Sequence, residues 1–269
     1  MVLTDLDGTL LRPDHSISQQ DYDTLVELGA RKIVRVIATG RSPFSLRRVV
    51  PPDFPIDYII FSNGAGIYRW RDQSILLQHS LTSEQVATVY EVLQREKVDF
   101  MVHGAIPENH RFFYVRNQKV NPDFDGRIAL YQEVAAELGD AAQLHAEACM
   151  ILVIVEAEAD YYEALKSKLP EFRVIRTTSP LNFKTLWIEI FPRPVSKALS
   201  AEWLCGELKI DPRHTIGIGN DYNDVDLLHW VANGFVVENA PLDLQSLFRV
   251  TNHHEDSGFS QAVRRVLAI

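Results

Sequence analysis

The 269-residue sequence is short of several things that mark specialised classes of protein. Glycine and proline number only 13 each, too few for a collagen-like or low-complexity chain. The two cysteines, Cys149 and Cys205, lack any metal-ligand spacing and read as reduced, buried side chains of a cytosolic protein. The longest run of large apolar residues, Met150–Val155, falls far short of the roughly 20 needed to cross a bilayer. No charged, apolar and small-residue leader opens the chain, so a cytoplasmic location and no membrane association are expected. Positive charge is scarce too: Lys and Arg total 27 against 36 Asp and Glu, a formal net charge of −9. That argues against a nucleic-acid partner, whose binding draws on clustered Lys and Arg. A small anionic ligand held by a local positive site remains compatible, and nothing implies a protein partner. What the chain does have is 46% hydrophobic residues. That is enough Leu, Ile, Val and Phe to exclude disorder, at a length suited to one large domain or two small ones.

Apolar strand-like runs alternate with helical periodicity, the pattern of an α/β protein with a parallel sheet. Strands are expected at 2–4, 33–38 and 58–61, with helices at 18–30 and 43–50. Two more short strands follow, near 66–70 and 74–78. From about Leu81 the texture changes. The stretch 82–96 is a strongly periodic helix opening on a Thr82-x-x-Gln85 capping box. Strands at 100–102 and 112–115, a helix at 126–138, a strand at 149–155, a helix at 160–169 and a strand at 173–178 follow. This reads as an inserted α+β domain over residues 81–182. The first pattern then returns, with strands at 186–191, 215–218 and 235–237 and helices at 197–208 and 224–231. Two further helical stretches begin at Leu242 and Phe259. The core domain is therefore assigned to 1–80 and 183–269.

Four polar segments each follow an expected strand or open a helix, on the sheet edge where parallel α/β proteins bind ligands. The first is Asp5-Leu6-Asp7-Gly8-Thr9, where two carboxylates two residues apart repel unless a cation or a shared proton relieves them. The second is Ile37-Ala38-Thr39-Gly40-Arg41, which delivers a hydroxyl and a glycine turn suited to an oxyanion. The third is Lys197, a cation at a helix start, where it opposes the helix dipole and so invites another reason for its presence. The fourth is Gly217-Ile218-Gly219-Asn220-Asp221-Tyr222-Asn223-Asp224, dense in the oxygen donors that suit Mg²⁺. Taken singly, each has an ordinary explanation: an Asp-Gly turn, a capping threonine, a surface lysine, a polar turn before a helix. All four in this order are not accidental.

On these segments the sequence resembles the haloacid dehalogenase superfamily, and within it the Cof-type phosphatases with an α/β cap. Asn63-Gly64-Ala65, Glu238-Asn239-Ala240 and 252–258 add to the likeness. The resemblance implies a doubly wound, Rossmann-like core with an inserted α+β cap domain that selects substrate. It further implies a Mg²⁺-dependent phosphatase acting on small phosphorylated metabolites, with sugar phosphates foremost. In it Asp5 is the nucleophile, Asp7 the general acid and base, and Lys197 the cation that neutralises charge. Thr39, Gly40, Lys197 and Asn223 hold the phosphoryl oxygens. The metal falls to Asp5, the Asp7 carbonyl and the fourth segment, where Asn220 stands in place of the family's usual Asp. Whether Asn220 is the ligand, with Asp221 or Asp224 supplying charge nearby, or the loop shifts so that Asp221 takes the position, stays open. A phosphomutase of the same fold, or a non-catalytic phosphometabolite-binding protein, are the alternatives.

Overall fold

The computed structural model describes residues 1–140, 146–156, 160–182 and 184–268. The chain forms two compact units. One is discontinuous, Met1–Gln78 with Ser196–Ile269, and the other is the intervening His79–Val195.

The first unit is built on an eight-stranded sheet. In chain order its strands are β1 (Val2–Thr4), β2 (Arg35–Ala38), β3 (Tyr58–Phe61), β4 (Gly66–Arg69) and β5 (Ser74–Gln78), then β12 (Ile216–Gly219), β13 (Asn233–Val237) and β14 (Arg249–Thr251). Across the sheet they run β14-β13-β12-β1-β2-β3-β4-β5. The six from β14 to β3 are parallel, and β4 and β5 add an antiparallel edge. Parallel strands are covered on both faces and read as unbroken apolar runs, as Val2, Leu3, Ile59 and Ile60 do, each at most 2% exposed. Helices α1 (Gln19–Ala30), α6 (Lys197–Leu208), α7 (Val225–Trp230) and α9 (Gly258–Leu267) complete a mixed α/β unit of the doubly wound kind. Ser18 caps α1 as expected, accepting from the Asp21 N–H. Because β1 lies between β2 and β12, the loops after these three strands share one sheet edge.

The second unit contains a six-stranded sheet ordered β10-β11-β9-β6-β7-β8. Its strands are β6 (Phe100–Gly104), β7 (Phe112–Val115), β8 (Ala135–Glu137), β9 (Ala148–Val155), β10 (Phe172–Thr178) and β11 (Leu186–Pro192). Helices α3 (Ser83–Glu96) and α5 (Tyr161–Lys168) pack Val86, Val89, Leu93 and Leu165 against Phe100, Val102, Ile151, Val153, Ile188 and Ile190. Both halves of the Thr82–Gln85 capping box are present at the start of α3.

Several elements differ from the sequence reading. Residues 186–191, taken as the return of the core pattern, pair antiparallel with β9 and β10 and belong to the second sheet. An apolar run shows that a strand is buried, not which sheet buries it. The helix expected at 126–138 is α4 (Pro122–Leu130), begun by an Asn121 cap with Pro122 behind it, and β8 follows. The helix expected at 43–50 is only α2 (Pro43–Leu46). β8 and β14 have no counterpart in the sequence pattern: each is three residues long, and Ala-Ala-Glu and Arg-Val-Thr form no apolar run. Neither cysteine forms a disulfide, and both are buried. No described helix is long and apolar enough to cross a membrane.

Candidate active site

The four segments meet at the shared sheet edge of the first unit. β1 ends at Thr4, and the next residue, Asp5, anchors its N–H on the Ile218 carbonyl of β12 at 2.8 Å. Its side chain is 8% exposed. Lys197, the first residue of α6, reaches it across 192 residues of sequence at 2.7 Å and reaches Asp224 Oδ1 at 2.6 Å. The lysine and Asp224 side chains are both 0% exposed. The lysine thus opposes the dipole of its own helix because two buried carboxylates hold it.

The electrostatics follow from this packing. Burial drives the Asp5 pKa up to about 7 against the pull of Lys197, with Asp224 and Asp7 adding to the rise. Burial works to lower the Lys197 pKa, but Asp224 and Asp5 outweigh it, so the ammonium is held above its ordinary value and stays charged.

Asp7 has a cation of its own. Arg41 grips it with two parallel bonds, Nε to Oδ2 and Nη2 to Oδ1, both 2.7 Å. The Asp5–Asp7 repulsion foreseen from sequence is therefore relieved by two separate cations, one for each carboxylate. Gly8 turns the chain just after them with φ +71, and a Cβ there would lie 2.6 Å from the Asn220 amide. Asn239 donates to the Gly8 carbonyl at 2.8 Å and accepts from the His254 N–H at 3.1 Å, pinning this loop from the far side.

Thr39 is 1% exposed and its hydroxyl accepts the Arg41 N–H at 3.1 Å. The hydroxyl closes a turn and caps no helix; Ser42 caps the four-residue α2. The next strand end supplies Asn63, in left-handed conformation with φ 53. Its N–H bonds the Thr39 carbonyl at 3.0 Å, and its side chain accepts from Asn223 Nδ2 at 3.0 Å. Thr39, Gly40 and Asn223 thus come together through Asn63. Gly64 follows at φ +101, packed so close to α6 that a Cβ would stand 2.3 Å from the Ser196 carbonyl.

In the fourth segment Asp224 Oδ2 accepts the N–H groups of Asn220 (2.9 Å) and Asp221 (3.1 Å). Asp221 turns its carboxylate to the Tyr222 N–H at 2.8 Å and forms a reciprocal cap with Asp224. Asp224 is therefore committed to the loop and to Lys197, and Asp221 caps the turn. Asn220 faces the other way. One end of its amide stands 3.3 Å from Asp5 Oδ2, 3.3 Å from the Asp7 carbonyl and 3.2 Å from Thr9 Oγ1. An amide can present its nitrogen to such acceptors, or its oxygen to a cation lying among them. Ligand oxygens of an octahedral Mg²⁺ lie about 3 Å apart, so the donor set of carboxylate, main-chain carbonyl and amide fits that ion. Among the described residues no three His, Cys, Asp or Glu side chains gather around a metal position. The fit rests on the mixed set, with one formal charge from Asp5.

Arg41, Asn63 and Asn239 carry no role in the sequence reading. Each lies inside a segment it quotes, but their partners are 34, 160 and 231 residues away.

The haloacid dehalogenase-like hydrolase family matches residues 2–263. The chain belongs to that family, as a Cof-type member. It is 24% identical to phosphatase YwpJ of Bacillus subtilis, over 99% of each chain. It is 23% identical to an HMP-PP phosphatase of Escherichia coli, over 90% of this chain and 85% of that one. Among solved structures, a phosphatase of this superfamily from Bacteroides thetaiotaomicron superposes with a TM-score of 0.81 at 22% identity, covering 100% of this chain and 95% of that one. A subclass IIB sugar phosphatase superposes at 0.80 and 17% identity, covering 100% and 99%. The Cof-type protein is thus an enzyme, a hydrolase of the phosphatase kind.

Proposed function

We propose that the protein is a Mg²⁺-dependent phosphatase of small phosphorylated metabolites, sugar phosphates foremost, working through a phosphorylated Asp5. The observation that carries this is the buried Asp5–Lys197–Asp224 array, with Asp7 held two residues away by Arg41. A carboxylate nucleophile meets a phosphate dianion only where positive charge offsets their repulsion. Lys197 supplies part of that charge. Asp5 Oδ2, the Asp7 carbonyl and the Asn220 amide oxygen would hold Mg²⁺, which lowers the remaining repulsion when bound.

An Asp5 oxygen attacks phosphorus as the ester P–O bond breaks, and Asp7, having exchanged one of its Arg41 bonds for a proton, donates that proton to the departing alkoxide. Asp7 then takes a proton from water; the water oxygen attacks phosphorus, the bond to Asp5 breaks and inorganic phosphate leaves. Thr39, Gly40 and Asn223 hold the non-bridging oxygens, and Arg41 keeps Asp7 aimed. His79–Val195 is read as the cap that selects among substrates. Phosphate release from a panel of phosphorylated metabolites, with and without Mg²⁺, tests the reading. Asp5→Asn, which cannot form the acyl phosphate, should abolish turnover with an unchanged circular dichroism spectrum. Wild-type-like hydrolysis by that variant would refute it.

A further inference from the structure

In the first unit, β3 runs directly into a strained piece of backbone. Ser62, Asn63 and Gly64 lie in succession in the left-handed region, with φ 46, 53 and 101. Glycine alone enters that region freely, and other residues found there are held by the structure around them. Ser62 and Asn63 are each 1% exposed. The Ser62 N–H bonds the Arg41 carbonyl at 3.0 Å, as the Asn63 N–H bonds the Thr39 carbonyl, so this run is laced to the 39–41 turn. On its other side Ser200 Oγ donates to the Gly64 carbonyl at 2.8 Å.

Backbone geometry accounts for a residue at position 63 that tolerates φ > 0, and glycine would meet that need at least as well. It does not account for the side chain. Asn63 Oδ1 accepts from Asn223 Nδ2 at 3.0 Å, across 160 residues of sequence. The same amide packs over Gly40, where a Cβ would stand 3.4 Å from its nitrogen. Asn223 sits in the Tyr222–Asp224 turn, whose backbone is fixed by the Asp221–Asp224 cap. Among the described residues the bond to Asn63 is the one hydrogen bond its side chain makes. That bond uses one hydrogen of Nδ2 and leaves the second for another acceptor. It also decides which end of the Asn223 amide faces this pocket. The opposite orientation would turn a carbonyl oxygen toward an anion. We propose that Asn63 is a positioning residue for phosphoryl recognition, its side-chain oxygen selecting the orientation in which Asn223 offers N–H to an oxyanion at Thr39 and Gly40. The inference rests on the phosphatase reading for the place of the phosphoryl group, and on the Asn63–Asn223 bond for the role of Asn63.

Inorganic phosphate is the probe, titrated calorimetrically into the full chain with Mg²⁺ in excess, so that no turnover intervenes. Asn63→Gly removes the side chain and keeps the left-handed backbone, so its circular dichroism spectrum should match wild type. It should weaken phosphate binding by roughly tenfold, as the loss of a hydrogen bond to a charged group does. Asn223→Ala should weaken it by a similar factor, and the double variant no further, because Asn63 acts through Asn223. In turnover of a phosphate ester, the two single variants should divide their loss between KM and kcat in the same proportion. A residue that merely braced the backbone would not reproduce the Asn223 pattern. Unchanged phosphate affinity in Asn63→Gly, or losses that multiply to about a hundredfold in the double variant, would overturn the inference. A wild type that binds phosphate but releases none from any ester would refute the phosphatase reading alone, since the titrations still decide. A wild type that binds no phosphate would overturn both.

Discussion

Asp224→Asn changes one oxygen for an NH₂ group at the point where the site is most tightly determined. Asp224 Oδ1 faces the Lys197 ammonium at 2.6 Å, while Oδ2 accepts two main-chain N–H groups at 2.9 and 3.1 Å. All three partners are donors. An ionised carboxylate satisfies both sides at once, whereas an amide in either orientation sets its own NH₂ against the ammonium or against the two N–H groups. The variant also leaves the buried Lys197 charge with Asp5 alone. Breaking a buried ion pair costs about 3–5 kcal/mol, and the surviving Asp5 contact argues for the lower end, about 3 kcal/mol. With a urea slope of roughly 1–3 kcal/mol per molar, the unfolding midpoint should drop by about 1–3 M. Trp203 and Trp230 pack against the apolar cluster of the first unit and report that transition by fluorescence. Asp221→Asn is the control: an amide oxygen caps the turn about as well as a carboxylate, so it should cost less than about 1 kcal/mol. An Asp224→Asn midpoint equal to that of wild type, or a loss no greater than in the control, would show that the buried array is not what holds these loops.

Three further outcomes follow from the same geometry. Asn220→Asp puts a second formal charge among the proposed metal oxygens and should lower the Mg²⁺ concentration for half-maximal activity, whereas Asp221→Asn should leave it nearly unchanged; the reverse pattern in magnesium titrations would move the ligand to Asp221. Arg41→Met frees the Asp7 carboxylate and should lower kcat by about 10² with little change in KM, partly restored in Arg41→Lys; a loss confined to KM would place Arg41 on the substrate instead. Buried His103 has a folded pKa of about 3 against an ordinary 6.5. Its contribution to stability is therefore complete above pH 6.5 and lost as pH falls toward 3, by at most about 1.4 kcal/mol per pH unit. His103→Gln should flatten the stability profile between pH 6.5 and 4, and parallel profiles would contradict the assignment.

Much of this protein is legible in one dimension because much of its physics is local. The cap at Ser18, the Thr82–Gln85 box and the periodic stripe of α3 depend on residues three or four apart. The uninterrupted apolar runs of β1, β2 and β3 announce parallel strands covered on both faces, and the polar segments after strands mark the edge where ligands bind. Residues that do chemistry are visible for the same reason, since Asp5, Asp7 and Asn220–Asp224 crowd charge and amides into a few positions. Pairing is different. Lys197 shows as an oddly placed cation, but that it joins Asp5 to Asp224 is a fact of three chain segments folded onto one edge. Nothing near Arg41 says that its partner is Asp7. Likewise β11 is an apolar strand in either sheet, and only its partners β9 and β10 decide which. Alternation and capping are set by neighbours along the chain. Register, sheet membership and ion pairing are set by which surfaces bury each other, and that is determined only when the whole chain has packed.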